Sequence, residues 1–175
     1  MKEILASLQL SVDNKNWYGA LLIALSIPDI CSKLENPELY TNKRYPDWFD
    51  KYKDDNYKSH LTGRDCYALR CSYLHEGSHI IEGQTIREII SKFSFSPEGI
   101  HLCSFKNIYV GSKDDGKNIC HLSVKNFCED MIRFATKWLT VIESNKDIQN
   151  RINEMLKIND TNELYGGAIK LVIKK

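Results

Sequence analysis

From Val124 to Ile142 apolar side chains return at every helical turn: Val124, Phe127, Cys128, Met131, Ala135, Trp138, Leu139 and Ile142. A stripe at period 3.6 describes an amphipathic helix about 28 Å long, and Ser123 stands where a cap would satisfy its first N–H groups. A helix of that length cannot leave its apolar face in water, so the rest of the chain must cover it. Ser144-Asn145 interrupts the pattern before Ile148, Ile152 and Met155.

Helical patterning also governs the first half of the chain. Residues 2–12 place Ile4, Leu5, Leu8 and Val12 on one side. Asn16 can cap a helix from Trp17 towards Leu34, apolar nearly all round at its start and therefore expected in the interior. Pro28 is expected to kink or break it. Asp29 follows in an apolar neighbourhood and has two readings: a carboxylate opening the helix resumed after the kink, which is preferred, or an ion-pair partner for Arg70. Residues 45–53 predict a short helix with Pro46 in its first turn. Its rings, Trp48, Phe49 and Tyr52, suit core packing; with Lys43, Arg44, Lys51 and Lys53 they would also suit stacking of single-stranded RNA.

Leu61 to Gly77 reads as a complete helix. Thr62 is its N-cap, Asp65 completes a capping-box-like pair, and Gly77 supplies the left-handed stop. Inside it stand Arg70 and His75, about 7.5 Å apart along the axis and rotated by about 140°. Arg64 lies only about 20° from His75 around the helix. Arg64, Ala68, Cys71 and His75 thus share a face suited to a dimer contact, unless Arg64 simply pairs with a surface acid. Ser72 and Glu76 flank the pair, placed either to hydrogen-bond a substrate and orient His75 or to stand in solvent.

Beyond Gly77 the pattern changes. Thr85–Phe95 fits a helix or a strand, and the turn Ser96-Pro97-Glu98-Gly99 favours a strand into it and another out, Ile100–Phe105. Ile108–Val110 and Ile119–Leu122 flank a polar loop, 111–117, as a further hairpin. Ala168–Ile173 suits a short strand. The fold expected is mainly α: a helical bundle of about five helices in one domain over residues 1–175, with a small antiparallel β insertion around 88–122 before the long C-terminal helix.

Hydrophobic content of 42% and charged content of 27% describe a soluble, globular chain. A net charge of +1 gives no overall field for nucleic acid, so RNA affinity would need a local patch. Six cysteines without a CxxC, and an N-terminus unlike a secretory leader, predict reduced thiols and a cytoplasmic location. The apolar run from Trp17 to Ile27 is too short to span a bilayer, so no membrane association is expected. Cys71, His75 and His79 are separated by Gly77, and Cys103, Cys120, His121 and Cys128 lack ligand spacing. Neither set suits a metal, and no phosphate-cradling or dinucleotide motif calls for a cofactor.

Arg70 to His75, in the context ALRCSYLHEG, resembles the signature of the HEPN family, small helical proteins with Arg-x4–6-His on a late helix of a bundle. The resemblance covers the helical plan of residues 1–77 and the long helix from about 123. Many members are metal-independent endoribonucleases that act as dimers, often in toxin–antitoxin or phage-defence systems; others bind nucleotides or RNA without cutting. Catalytic members usually follow the arginine with a polar residue, often Asn or Asp, where this chain has Cys71. The resemblance implies Arg70 and His75 as catalytic residues, supported by Arg64, Ser72, Glu76 and Asp29, with RNA as substrate and an antitoxin or other protein as partner. Arginine would neutralise the phosphate, and histidine would move a proton at the 2′- or 5′-oxygen. Their angular separation suggests that one helix cannot aim both at one phosphate, and hence a homodimer with a composite cleft. The alternative is a non-catalytic binding or scaffold protein in which Arg70 and His75 are structural.

Overall fold

A computed structural model describes residues 1–106 and 118–158. The chain is mostly helical, 59%, with a small three-stranded mixed sheet. Six helices are present among the described residues: α1 (Lys2–Asp13), α2 (Trp17–Glu35), α3 (Thr41–Tyr52), α4 (Gly63–Glu76), α5 (Val124–Val141) and α6 (Lys146–Asn153). A 3-10 turn, Asp55–Tyr57, joins α3 to α4. The strands are β1 (Lys92–Ser96), β2 (Cys103–Lys106) and β3 (Asn118–Ser123).

Local capping sets most of the boundaries. Asn16 accepts from Gly19 N–H, Thr62 from Asp65, Ser123 from Asn126 and Asn145 from Ile148. Gly77 closes α4 in the left-handed region at φ 63°. α2 packs against α1, α3 and α5. The stripe of α5 meets the rings of α3: Phe134 stands edge-on to Phe49 at 6.2 Å and to Tyr57 at 5.4 Å, and Trp138 to Trp48 at 6.5 Å. Trp48, Phe49 and Tyr52 are buried, so the aromatic cluster of α3 belongs to the core.

Three expectations are corrected. α2 runs through Pro28 to Glu35 without a break; burial of Ile27 and Cys31 on either side holds the helix together where the proline removes one donor. Continuity makes α2, at 19 residues and a mean hydropathy of 1.2, the one helix among the described residues long and apolar enough to cross a membrane. Half of that stretch is buried, as befits a core helix. Next, α3 begins at Thr41, so Pro46 lies in its second turn. Finally, the sheet is mixed: its order is β1-β3-β2, with β1 parallel and β2 antiparallel to β3. The turn after β1 does not make a hairpin, because pairing Phe93 with Cys120 and Phe95 with Leu122 puts four apolar side chains on one face. The anticipated Ile108–Val110 strand, the 111–117 loop and the Ala168–Ile173 strand lie outside the described residues.

Two close arrangements fix α4. A Cβ on Gly63 would lie 2.3 Å from the Pro46 carbonyl oxygen, so only glycine lets the helix start against α3. Asp65, fully buried, accepts from the Thr62 hydroxyl at 3.0 Å within the capping pair and reaches further to accept from the backbone N–H groups of Glu88 (2.7 Å), Ile89 (3.2 Å) and Ile90 (3.3 Å). One side chain thereby anchors the irregular segment that leads into β1. Asp65→Ala, which strands these donors, is expected to cost about 3–5 kcal/mol, and Asp65→Asn, which keeps one acceptor, clearly less; urea unfolding of the three proteins measures the order.

Candidate functional site

Arg70 and His75 occupy the last two turns of α4 and meet within one chain. Arg70 Nη1 lies 3.3 Å from His75 Nε2. The two side chains thus touch despite the angle between them around the helix. Rotation by five residues separates their Cα atoms, but a guanidinium on a three-carbon stem reaches back across the gap. His75 is solvent-exposed and Arg70 half-buried.

Asp29 is the partner that positions the arginine. Its Oδ2 lies 2.7 Å from Arg70 Nη2 and its Oδ1 3.3 Å from Arg44 Nη2. The three side chains keep 16%, 21% and 10% of their surface exposed for Asp29, Arg70 and Arg44. Arg44 is held in turn by Thr41 Oγ1 and the Leu39 carbonyl. Burial alone would lower the Arg70 pKa, but the Asp29 carboxylate and Cys71 outweigh it and hold the guanidinium above its ordinary value. Both Arg70 Nε and Arg44 Nε are buried without a hydrogen-bond partner. Two cations share one carboxylate, which leaves the cluster with a net positive charge beside the exposed imidazole.

Beneath the cluster, Tyr67 packs with its ring tilted at 55° and 5.2 Å from that of Tyr45, whose hydroxyl donates to the Leu25 carbonyl. Burial first, and then the neighbouring Cys71, push the Tyr67 hydroxyl up to about 12. All six cysteines are free thiols. Burial pushes Cys66, Cys120 and Cys128 up to about 12, and Cys31 well above its usual range. Cys71 is half-buried and Cys103 exposed.

The remaining sequence candidates serve the segment after α4. Arg64 Nε donates to the Ile86 carbonyl at 3.0 Å. Ser72 is fully buried and donates to the Ile80 carbonyl at 2.8 Å, and Glu76 accepts from Gln84 at 3.4 Å. Ala68 is also fully buried, so the stripe from Arg64 through Ala68 to His75 is not a continuous exposed face. Among the described residues no group of three His, Cys, Asp or Glu side chains converges in a way that would hold a metal ion.

Sequence reasoning missed Arg44 as a member of the cluster, and it missed a second polar centre altogether. The Tyr57 hydroxyl donates to Asp130 Oδ2 at 2.5 Å, and His101 Nε2 lies 2.9 Å from that hydroxyl and 3.3 Å from that oxygen. Arg133 Nη2 closes on Asp130 Oδ1 at 2.6 Å. Residues 57, 101 and 130 share no motif, and only the tertiary fold assembles them.

Comparison with protein-family models, with curated proteins and with solved structures finds no match to this chain.

Two predictions follow from these geometries. Asp29→Ala leaves two half-buried guanidinium groups without their counter-charge and should cost about 2–3 kcal/mol, less than a fully buried pair would; denaturant midpoints against wild type report it. At Asp130, burial works to raise the pKa, but hydrogen bonds from His101, Tyr57 and Arg133 outweigh it and hold the carboxyl below the ordinary aspartate value of 3.8. A depressed folded pKa adds stability that is fully present above the unfolded value and fades as pH falls through the folded one. The stability gap between wild type and Asp130→Asn should thus stay level from neutrality down to about pH 5 and shrink below about pH 4, as read from unfolding curves across that range.

Proposed function

We propose that the Arg70–His75 pair is the reaction centre of a cytoplasmic, metal-independent endoribonuclease of the toxin or phage-defence type, acting as a homodimer. The observation that carries the reading is the 3.3 Å approach of a charged guanidinium to an exposed imidazole at the open end of α4. A phosphodiester oxygen entering between Nη1 and Nε2 would exchange that contact for a charge-assisted hydrogen bond. The imidazole would take the proton of the 2′-hydroxyl as that oxygen attacks phosphorus and the bond to the 5′-oxygen breaks. Products are a 2′,3′-cyclic phosphate and a 5′-hydroxyl. The resemblance of ALRCSYLHEG to the HEPN signature supports the same assignment.

Dimerisation has a different rationale once both groups lie on one helix. One imidazole that has accepted the 2′-proton cannot at that moment protonate the departing 5′-oxygen. A second His75, brought by a twofold-related copy, would supply that proton.

A second reading is favoured by the Asp29 ion pair. Arg70 ties α4 to α2, and through Asp29 to Arg44 on α3, so the same residues suit a non-catalytic binding or scaffold protein in which they hold helices together. Incubating a mixed RNA pool with the protein in EDTA separates the two. The nuclease reading expects cyclic-phosphate ends from wild type and a loss of about 10²-fold or more in His75→Ala. Equal cleavage by both proteins, or none by either, removes it. If Arg70→Ala melts the protein while wild type neither binds nor cuts RNA, the structural reading stands.

A further inference from the structure

Among the described residues β1 is an edge strand, and they cover only half of its outer side. On its inner side it pairs with β3 over its whole length. On its outer side the chain leaving α4 lies antiparallel to its first residues: Ile80 bridges Lys92, Phe93 N–H donates to the His79 carbonyl at 2.9 Å, and Ile81 N–H donates to the Ser91 carbonyl at 3.0 Å. There the cover ends, because before His79 the chain turns into α4 at Gly77. Backbone groups along a strand alternate in direction, so Phe95 N–H and C=O point to the same side as Phe93 N–H, away from β3. A cavity of about 710 Å³ lies between the start of α2, the end of α4 and β1, and Phe95 is among the residues that line it.

The cavity has a definite chemistry. Six successive residues of β1 and its turn, 92–97, form one wall, so it runs lengthwise along the strand for about 17 Å. Trp17, Tyr18 and Tyr73 form the facing wall, and Tyr18 stands 78% exposed. Its basic side chains are Lys92 and His79, and no Asp or Glu is among the described residues that line it. An unpaired edge of this kind invites another chain, and Pro97 at the strand's end limits how far such pairing extends.

We propose that this groove docks an extended peptide segment by strand addition to the outer edge of β1, antiparallel like residues 79–81, with a bulky apolar side chain on the aromatic wall and an acidic side chain opposite Lys92 and His79. The edge already accepts an antiparallel chain over its first half, which shows the register in which a guest would continue. Main-chain hydrogen bonds at Phe95 supply affinity, and the alternation of side chains along an extended guest supplies selectivity. Lys92, with no carboxylate beside it in the lining, selects the acidic guest. One lysine, with no arginine beside it, is a poor match to the repeated phosphates of a nucleic acid. The inference is independent of whether Arg70 and His75 cut RNA, since neither lines the groove.

A pool of synthetic seven-residue peptides tests it, with Glu fixed at the centre and apolar residues randomised at alternate positions. The same pool with Lys at the centre, and an oligouridylate, serve as comparators. Expected are micromolar binders from the acidic pool, weakened about tenfold by N-methylation of the guest residue that pairs with Phe95, and about tenfold by Tyr73→Ala. Tyr18→Ala, at a position too exposed to unfold the protein, should weaken them several-fold, and the Phe95 amide should gain protection from hydrogen exchange. The proposal fails if the acidic pool yields no binder tighter than millimolar, if the Lys pool binds as well, if both tyrosine variants bind undiminished, or if the oligouridylate displaces the peptide from the groove.

Discussion

A single carboxylate holds three helices together at the candidate site. Asp29, brought to the surface of α2 because that helix continues past Pro28, divides its two oxygens between Arg44 of α3 and Arg70 of α4. Three helices are thereby pinned at one point, with all three side chains largely withdrawn from water. A guanidinium in that setting has few rotamers left, so its free edge is presented in a fixed direction towards His75. The imidazole is exposed and the arginine is held by its ion pair, an arrangement suited to binding an anion in one orientation. The same pinning adds to stability, which is why a structural and a catalytic role start from identical contacts.

A second buried carboxylate performs the corresponding task for the irregular part of the chain. Asp65 collects three consecutive backbone N–H groups and so dictates the course of residues 88–90 into β1. This anchor adds to the burial of Ile81 and Ile90 in bringing β1 beside β3. The groove along β1 therefore depends on a residue at the opposite end of α4 from the groove itself. The Tyr57–Asp130–His101 centre adds a third tie, between the 3-10 turn, the approach to β2 and α5.

Helices were legible in the sequence wherever capping residues and apolar periodicity agreed. Thr62 and Gly77 bound α4, Asn16 opens α2, and Asn145 restarts the chain into α6. Pro28 misleads because a proline's cost, one missing hydrogen bond and a local clash, is smaller than the burial energy of the apolar residues around it. The sheet was misjudged for a different reason. Phe93 and Phe95 announce a strand, and Ser96 to Gly99 a turn, but nothing local says which strand will lie alongside; Cys120 and Leu122 decide it from a distance. The spacing of Arg70 and His75 is legible in the sequence, whereas their mutual approach depends on side-chain reach that a helical wheel omits. Arg44 and Asp130 carry no local signal.

The burial of the thiols has a practical corollary. Electrophiles react with thiolate, and four of the six sulfurs lie in the interior, three of them held in the protonated form up to about 12 and Cys31 likewise pushed well above its usual range by burial. A maleimide or a nitroxide label would thus find Cys71 and Cys103 in the native protein and pass over the rest. Because Cys71 adjoins Arg70 in the chain, a single substitution at Cys103 turns the natural sequence into a reporter whose probe sits at the guanidinium.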